Sequence, residues 1–123
     1  MAKNGLDFFD ETQRKLEQWG RWCRADGNKT SYPSLATFAK EMPRDIESSI
    51  AIMSDDEAQE IESSMLQLKN ANLLAYKVAI YRYIHRRTLR DTAALLKIGN
   101  ERTRIEWRLA VYFIMGNLYK YTA

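Results

Sequence analysis

The stretch TLRDTAALLKIGNERTRIEWR, from Thr88 to Arg108, decides how this sequence is interpreted. Thr88 can cap a helix whose first turn carries Asp91, because a threonine side chain accepts a hydrogen bond from a backbone N–H of that turn. Three residues are spaced to face inward from this helix: Leu89, Ala93 and Leu96. Ala93 lies where two crossing helices approach closely and a small side chain is needed. The stretch therefore begins with a short amphipathic helix.

A turn then separates this helix from a second one. Ile98 and Gly99 are predicted to form the turn, with Gly99 adopting backbone angles that other residues resist. The second helix starts near Asn100 and is expected to bury Thr103, Trp107 and Ala110. This order of helix, turn and helix is typical of a helix-turn-helix.

The outward face of the second helix carries hydrogen-bonding side chains. In a helix-turn-helix this face enters the major groove, where Asn reads adenine, Arg guanine and Glu cytosine. The predicted base-reading residues are Asn100, Glu101, Arg104, Ile105 and Arg108, with Arg102 flanking them. Phosphate contacts position a protein without reading sequence, and the residues suited to them are Arg86, Arg87, Arg90 and Lys97.

The same pattern also fits a plain helical hairpin with a solvated basic face. Lys97 stands where a glycine is common, one residue into the turn. Thr103 stands where the second helix usually has an aliphatic residue. Both departures favour the hairpin, so the residue pattern alone leaves the two interpretations open.

The charge distribution adds to the case for an anionic partner. Residues 1–81 contain 10 Lys/Arg and 13 Asp/Glu, a net charge of −3, whereas residues 82–123 contain 9 and 3, a net charge of +6. A basic C-terminal third on an acidic body indicates contact with something anionic, although many charged helical faces bind only water.

The whole chain has the pattern of an all-α protein. At 123 residues it is expected to form one domain, with an N-terminal helical part over 1–53 and a helical bundle over 54–123 that holds the helix-turn-helix at about 88–110. Helical spacing predicts a first helix from Leu6 to Cys23 and a short one over about 34–42. The stretch 44–53 is a loop or a short helix.

The remaining helices are predicted from capping and spacing. Ser54 and Glu57 form a capping box, ahead of a buried stripe of Ala58, Ile61, Met65 and Leu68. The next helix runs from about Leu73 to Arg86 and is expected to bury Leu74, Val78, Tyr81 and Ile84. The last helix continues to about Tyr119, and its aromatic residues are expected to pack mostly against the first helix: Tyr112, Phe113, Tyr119 and Tyr121.

Several classes of site find no support in the sequence. A single cysteine, Cys23, excludes an intramolecular disulfide and a multi-cysteine zinc site, and it is predicted to be inert. His85 has no partner spaced for catalysis or metal binding, so it is predicted to be structural or solvent-facing. No P-loop, nucleophile elbow or paired catalytic acid occurs, which predicts a non-enzyme without cofactor or small-molecule substrate.

No signal peptide or membrane span is expected, and the predicted location is the cytoplasm.

Three blocks of this sequence together resemble the phage antitermination protein Q family of lambdoid prophages. LEQWGRWCR (Leu16–Arg24) looks like the tryptophan–glycine–x–tryptophan opening of that family, and SDDEAQEIESSMLQL (Ser54–Leu68) looks like its serine–acidic–acidic helix start. YKVAIYRYIHRRTLRDTAALLKIGNERTRIEWRLA (Tyr76–Ala110) is similar to its aliphatic and aromatic helix followed by the helix-turn-helix. The blocks cover about half of the chain, in the expected order.

The resemblance implies a transcription antiterminator of phage late genes. Such a protein binds double-stranded DNA overlapping the late promoter, engages RNA polymerase holoenzyme held at a promoter-proximal pause, and travels with it through terminators. The helix-turn-helix is similar to the promoter-reading domain of sigma factors, which implies a polymerase surface as well as a DNA surface. The location implied is the nucleoid of a bacterial host, and self-association is possible.

Two other functions remain open on the sequence. One is a conventional activator of phage late or packaging genes, which recruits polymerase and never travels with it. The other is an adaptor whose helix-turn-helix face contacts protein instead of DNA. The tryptophan opening and the acidic body are expected to face polymerase or to pack within the protein.

Overall fold

A computed structural model of the chain describes residues 5–25 and 53–119, and their side chains from Asp7 onward. Within these two ranges the chain forms five α-helices and one π-helical turn, with no β-strand. They are α1 Gly5–Ala25, α2 Asp55–Ala71, α3 Leu73–Ala79, the π-turn Ile80–Ile84, α4 Leu89–Leu96 and α5 Asn100–Leu118. The all-α prediction is confirmed. Some of the predictions concern parts of the chain outside the described residues: the short helix over 34–42, most of the stretch 44–53, and the side chains of Leu6 and Tyr121.

The hydrophobic core lies between α1, α2, α3, the π-turn and the second half of α5. Its largest fully buried side chains include Trp19 and Tyr83. The short helix α4 contributes no residue to this cluster and packs against α5 instead. The α4–α5 unit, which we define as residues 88–118, therefore attaches to the core mainly through α5, and also through the contact of α4 with the π-turn.

The start of α2 follows the predicted cap. Ser54 has extended backbone geometry, and its Oγ accepts a hydrogen bond from the backbone N–H of Glu57 at 3.3 Å. The predicted buried stripe is confirmed, since Ala58, Ile61, Met65 and Leu68 are all buried. Asn72 both ends α2 and begins α3, where its Oδ1 accepts from the backbone N–H of Ala75 at 3.1 Å.

The π-turn changes the pattern of burial that was predicted for the helix after Asn72. A π-turn holds one residue more per turn than an α-helix, so it shifts the inward face. Tyr81, inside the π-turn, was predicted to be buried and is only half-buried; Leu74, which precedes the π-turn, was also predicted to be buried and is half-buried. Tyr83 is buried instead, at 1% exposure, and Val78 and Ile84 are buried as predicted. No feature of the spacing signals a π-turn.

The tryptophan–glycine block of α1 fits closely against this π-turn. A methyl group on Gly20 would overlap the backbone carbonyl oxygen of Tyr83, so only glycine allows the two backbones to approach. One turn later, the Arg24 guanidinium donates hydrogen bonds to the carbonyls of Tyr83 at 2.8 Å and Ile84 at 3.0 Å. Carbonyls at the end of a helix need such partners, which a basic side chain can supply.

The two tryptophans of the block both contact α2. Trp19 is fully buried, and its indole N–H donates to Glu62 Oε1 at 2.9 Å. The indole N–H of Trp22 donates to Asp55 Oδ1 at 2.8 Å. Cys23 lies beside them, buried, and burial, followed by the charge of Glu62, raises the pKa of its thiol, in agreement with an inert cysteine. This block packs within the protein.

The second half of α5 lies along α1, and aromatic contacts hold the two helices together. The Phe9 ring lies 5.7 Å from Trp107 and 5.1 Å from Tyr112, and the Phe8 ring lies 4.7 Å from Tyr119. The Tyr119 hydroxyl also donates a hydrogen bond to the carboxylate of Glu11. The prediction that the aromatic end of the chain packs against the first helix is confirmed for Tyr112 and Tyr119.

The described ranges contain neither a helix that could span a membrane nor a cluster of metal-binding side chains. None of the helices within residues 5–25 and 53–119 is long and apolar enough to cross a membrane. The same residues contain no group of three or more His, Cys, Asp or Glu side chains arranged to hold a metal ion.

Candidate nucleic-acid interface

The first helix of the α4–α5 unit begins where the sequence predicts. The Thr88 side chain accepts a hydrogen bond from the Asp91 backbone N–H at 3.0 Å, and Asp91 lies in the first turn. Ala93 is buried, as predicted, and Thr92 is buried beside it with its hydroxyl donating to the Thr88 carbonyl at 2.8 Å. Leu89 and Leu96 were expected to face inward and are half-buried.

The turn between the helices corrects the role that was predicted for Gly99. Gly99 has φ −70° and ψ 155°, which any residue can adopt, and it precedes the first residue of α5. Lys97 takes the left-handed conformation instead, with φ 58° and ψ 44°. This geometry lets the N–H groups of Lys97 and Ile98 donate to carbonyls of the last turn of α4 at 3.3 and 3.0 Å.

Thr103 is fully buried although it is polar. Its hydroxyl donates to the Gly99 carbonyl at 2.9 Å, so the buried hydroxyl of Thr103 has a hydrogen-bond partner. A threonine can therefore occupy this position between the helices, where the sequence pattern favours an aliphatic residue. Trp107 is half-buried and Ala110 is buried, so all three predicted inward positions of α5 face the protein.

The predicted base-reading residues are all exposed on the first three turns of α5: Asn100, Glu101, Arg102, Arg104, Ile105 and Arg108. The spacing of Glu101, Ile105 and Arg108 places them on one face. Arg104 and Glu101 form an ion pair at 3.5 Å, with both side chains more than half exposed. Such exposed pairs contribute little, so the pair leaves both groups available to a ligand.

Arg102 differs from the other predicted base-reading residues. Its Nε lies 2.8 Å from Oε2 of Glu106, whose side chain is 5% exposed. The other carboxylate oxygen of Glu106 accepts from Asn72 Nδ2 at 3.0 Å. Glu106 thus ties the α2–α3 junction to α5. The sequence analysis missed this residue, although the i,i+4 spacing of Arg102 and Glu106 is a visible sign of an ion pair.

The predicted phosphate contacts fall into two pairs. Arg90 and Lys97 are exposed on α4 and in the turn after it. Arg86 and Arg87 are half-buried just after the π-turn. Arg86 has φ 54°, and the backbone N–H of Arg87 donates to the Tyr81 carbonyl at 2.9 Å, which ends the helical segment abruptly.

The residues next to these arginines are packed into the protein. His85 was expected to be either structural or solvent-facing. It is buried, at 6% exposure, and is therefore structural. Burial lowers the pKa of His85, and the positive charges of Arg87 and Arg24 lower it further. The Tyr83 hydroxyl accepts a hydrogen bond from the Trp107 indole N–H at 2.9 Å, and burial raises the pKa of Tyr83 to about 12. The π-turn and α5 are therefore held together beside the arginines.

The family model for phage antitermination protein Q matches residues 10–122. The chain belongs to this family. The match contains α2, α3, the π-turn, α4 and α5 in full, together with most of α1. It confirms the resemblance carried by the three sequence blocks.

Membership in the Q family makes the chain a phage antitermination protein in the broad sense, a regulator of transcription. The α1 block that characterises the resemblance contacts α2 and the π-turn through Trp19, Trp22, Gly20 and Arg24. No curated protein and no solved structure matches the chain significantly.

Proposed function

We propose that this Q-family protein is a phage transcription antiterminator that reads DNA at a late promoter and then engages paused RNA polymerase. In this proposal the α4–α5 unit is a helix-turn-helix, and the first three turns of α5 enter the major groove. The polymerase then reads through terminators into late genes.

The observation that carries the proposal is the face of α5 that begins at Asn100. Four hydrogen-bonding side chains are exposed there, Asn100, Glu101, Arg104 and Arg108, and the exposed Arg102 flanks them. The major groove admits an α-helix, and these side-chain types match the donor and acceptor patterns of its base edges. Lys97 and Arg90 extend the cationic surface to the neighbouring helix, where they suit phosphate contacts.

DNA binding is tested on a duplex that contains the late promoter of the same phage, at several salt concentrations. Several phosphate contacts predict a steep linear fall of log affinity with log salt. A scrambled duplex serves as the control, and it is expected to bind more weakly with a similar slope. The DNA-reading proposal fails if the promoter duplex shows no salt-sensitive binding.

Antitermination is tested separately by transcription in vitro across a terminator. The proposal predicts more read-through at an unchanged number of initiated transcripts. A conventional activator would instead raise initiation and leave the fraction of read-through unchanged. The two transcripts, terminated and full-length, distinguish these functions in one reaction.

An adaptor function is favoured by one specific observation. Ile105, Leu109 and Tyr112 are 44%, 47% and 52% exposed, and their spacing places them on one face of α5. Exposed apolar side chains that form a contiguous patch mark protein interfaces. Replacing Leu109 by Gln separates the two functions: an adaptor loses its protein partner, whereas a DNA reader keeps its affinity for the promoter duplex.

A further inference from the structure

We propose that the pocket beside the start of α4 binds a phosphate group, and that its source is the backbone of the DNA. The inference rests on the proposed DNA binding and adds a defined site to it. It extends the phosphate-contacting surface to Arg82 and Gln13, which the sequence pattern does not single out.

The pocket is an open cleft of about 370 Å³ between four parts of the chain. Gln13 of α1 and Trp107 of α5 form two of its sides. Arg82 of the π-turn also lines the pocket, and the other lining residues lead from the π-turn into α4: Arg86, Arg87, Thr88 and Leu89. A cleft of this size accommodates a phosphate with its attached sugar.

The charges around the pocket select an anion. Three of its lining side chains are guanidinium groups, and among residues 5–25 and 53–119 no acidic residue lines it. Guanidinium groups bind phosphate oxygens with two parallel hydrogen bonds, which makes arginine the preferred residue for phosphate recognition. The N-terminus of α4 opens at Thr88, and the dipole of a helix N-terminus also favours an anion.

The arginines are held in place by the backbone that carries them. Arg86 has a left-handed backbone at φ 54°, and such conformations in non-glycine residues cluster at functional sites. The Arg82 guanidinium lies 5.5 Å from the centre of the Tyr83 ring, which restricts its side chain. Tyr83 in turn accepts hydrogen bonds from Arg24 and from Trp107, and Trp107 itself lines the pocket.

The position of the pocket fits the proposed duplex. The pocket and Lys97 lie at opposite ends of α4, whose eight residues span about 12 Å. The major groove is also about 12 Å wide. In a complex in which α4 spans the groove that receives α5, a phosphate in the pocket and one at Lys97 would lie on opposite edges of that groove.

The first test titrates the wild-type protein with inorganic phosphate and follows the indole and amide NMR signals. We expect saturable shifts of the Trp107 indole and of the Thr88 and Leu89 amides, and no such shifts with sodium chloride at equal ionic strength. The Arg82→Gln variant should lose the response, whereas the Lys77→Ala variant, which removes a positive charge outside the pocket, should keep it. Shifts that do not saturate, or that persist in Arg82→Gln, overturn the pocket.

The second test measures binding to the promoter duplex by the same variants. Arg82→Gln should weaken the affinity about tenfold on promoter and scrambled duplexes alike, and reduce the salt slope by about 0.9 for one lost phosphate contact. Lys77→Ala should leave both the affinity and the slope unchanged. If Arg82→Gln is folded by circular dichroism and changes neither quantity, the backbone of DNA is not the source of the phosphate.

The two tests separate this inference from the proposed function. If phosphate binds saturably and the duplex does not bind at all, the pocket is a site for a free phosphate ligand. That result overturns both DNA as the source of the phosphate and the DNA-reading function. Binding to the duplex without a phosphate response overturns the pocket and leaves the DNA-reading function standing.

Discussion

The Nε atom of Arg102 lies 2.8 Å from Oε2 of Glu106, and this ion pair joins an exposed side chain to a buried carboxylate. The same carboxylate accepts a hydrogen bond from Asn72, at the junction of α2 and α3. A buried carboxylate needs partners for its charge, so Arg102 is held by a contact within the protein. Arg104, on the neighbouring face, pairs only with the exposed Glu101 among the ion pairs described for α5.

This difference predicts how the two arginines contribute to DNA recognition. Arg104→Ala should cost about 1–3 kcal/mol on the cognate site and weaken the preference at one base, because a base contact is lost. Lys97→Ala should weaken binding to all sequences alike, as expected for a phosphate contact. Arg102→Ala should cost less binding free energy than Arg104→Ala. Affinities for the cognate duplex and for single-base variants of it measure all three.

One result would remove Arg104 from the base-reading residues. If Arg104→Ala lost the same binding free energy on every duplex, its contact would be to phosphate. A loss for Arg102→Ala as selective and as large as that for Arg104→Ala would show that the Glu106 ion pair opens when DNA binds.

The close approach of α1 to the π-turn predicts that Gly20 tolerates no side chain. Gly20→Ala should lower the free energy of unfolding by about 3 kcal/mol or more, because the overlap is with the backbone of Tyr83, which cannot move aside as a flexible side chain could. Gly116→Ala is the matched control. Apart from the neighbouring backbone of α5 itself, no described residue lies within 4 Å of its added methyl group, and Gly116 is inside α5, so the free energy of unfolding should rise by up to about 1 kcal/mol. Urea denaturation of both variants measures the contrast, and equal effects would contradict the packing of α1 on the π-turn.

The turn between α4 and α5 predicts opposite effects on stability and on DNA binding at Lys97. Lys97→Gly should raise the free energy of unfolding by up to about 1 kcal/mol, because glycine adopts φ 58° without steric cost. It should weaken DNA binding, because the charge is removed. Gly99→Ser should be neutral or stabilising by a few tenths of a kcal/mol, since a serine before the first helical residue can cap α5. A large destabilisation by Gly99→Ser would mean that Gly99 needs its conformational freedom after all.

The buried His85 predicts that the protein loses stability in mild acid. Its pKa is lowered in the folded state from the ordinary value of 6.5, mainly because the ring is buried. The unfolded chain then binds the proton more readily, so the free energy of unfolding falls as the pH drops below about 6.5. His85→Phe keeps a ring beside Tyr81 and removes the titration. Urea denaturation at several values between about pH 7.5 and pH 5.5 should give a smaller slope for the variant than for the wild type, and equal slopes would contradict this account.

The helices of this protein could be predicted from local signals. The caps at Ser54 and Thr88 and the stripe on α2 depend on residues three or four positions apart, so they are visible in the sequence. The exposure of the predicted base-reading face follows from the same periodicity, because the positions that bury Thr103 and Ala110 fix which side of α5 faces outward.

The π-turn and the pocket were missed because they depend on contacts between distant parts of the chain. The π-turn is stabilised by Gly20 and Arg24, about 60 positions away, and nothing in its own residues distinguishes it from an α-helix. The turn at Lys97 was assigned to Gly99 because glycine is the residue expected at a positive φ, yet the geometry of the end of α4 places that angle at Lys97. The pocket beside the start of α4 depends on the π-turn, on Gln13 of α1 and on Trp107 of α5.

The π-turn also bears on how this chain should be aligned with its relatives. Five residues, Ile80–Ile84, occupy a turn in which an α-helix would accommodate one residue fewer. A relative with a single-residue deletion at this point would have an uninterrupted helix, and every side chain before the gap would be rotated by about 100° relative to those after it. An alignment gap at 80–84 in such a relative would therefore mark a protein whose arginines point in different directions, even where they align with Arg82, Arg86 and Arg87.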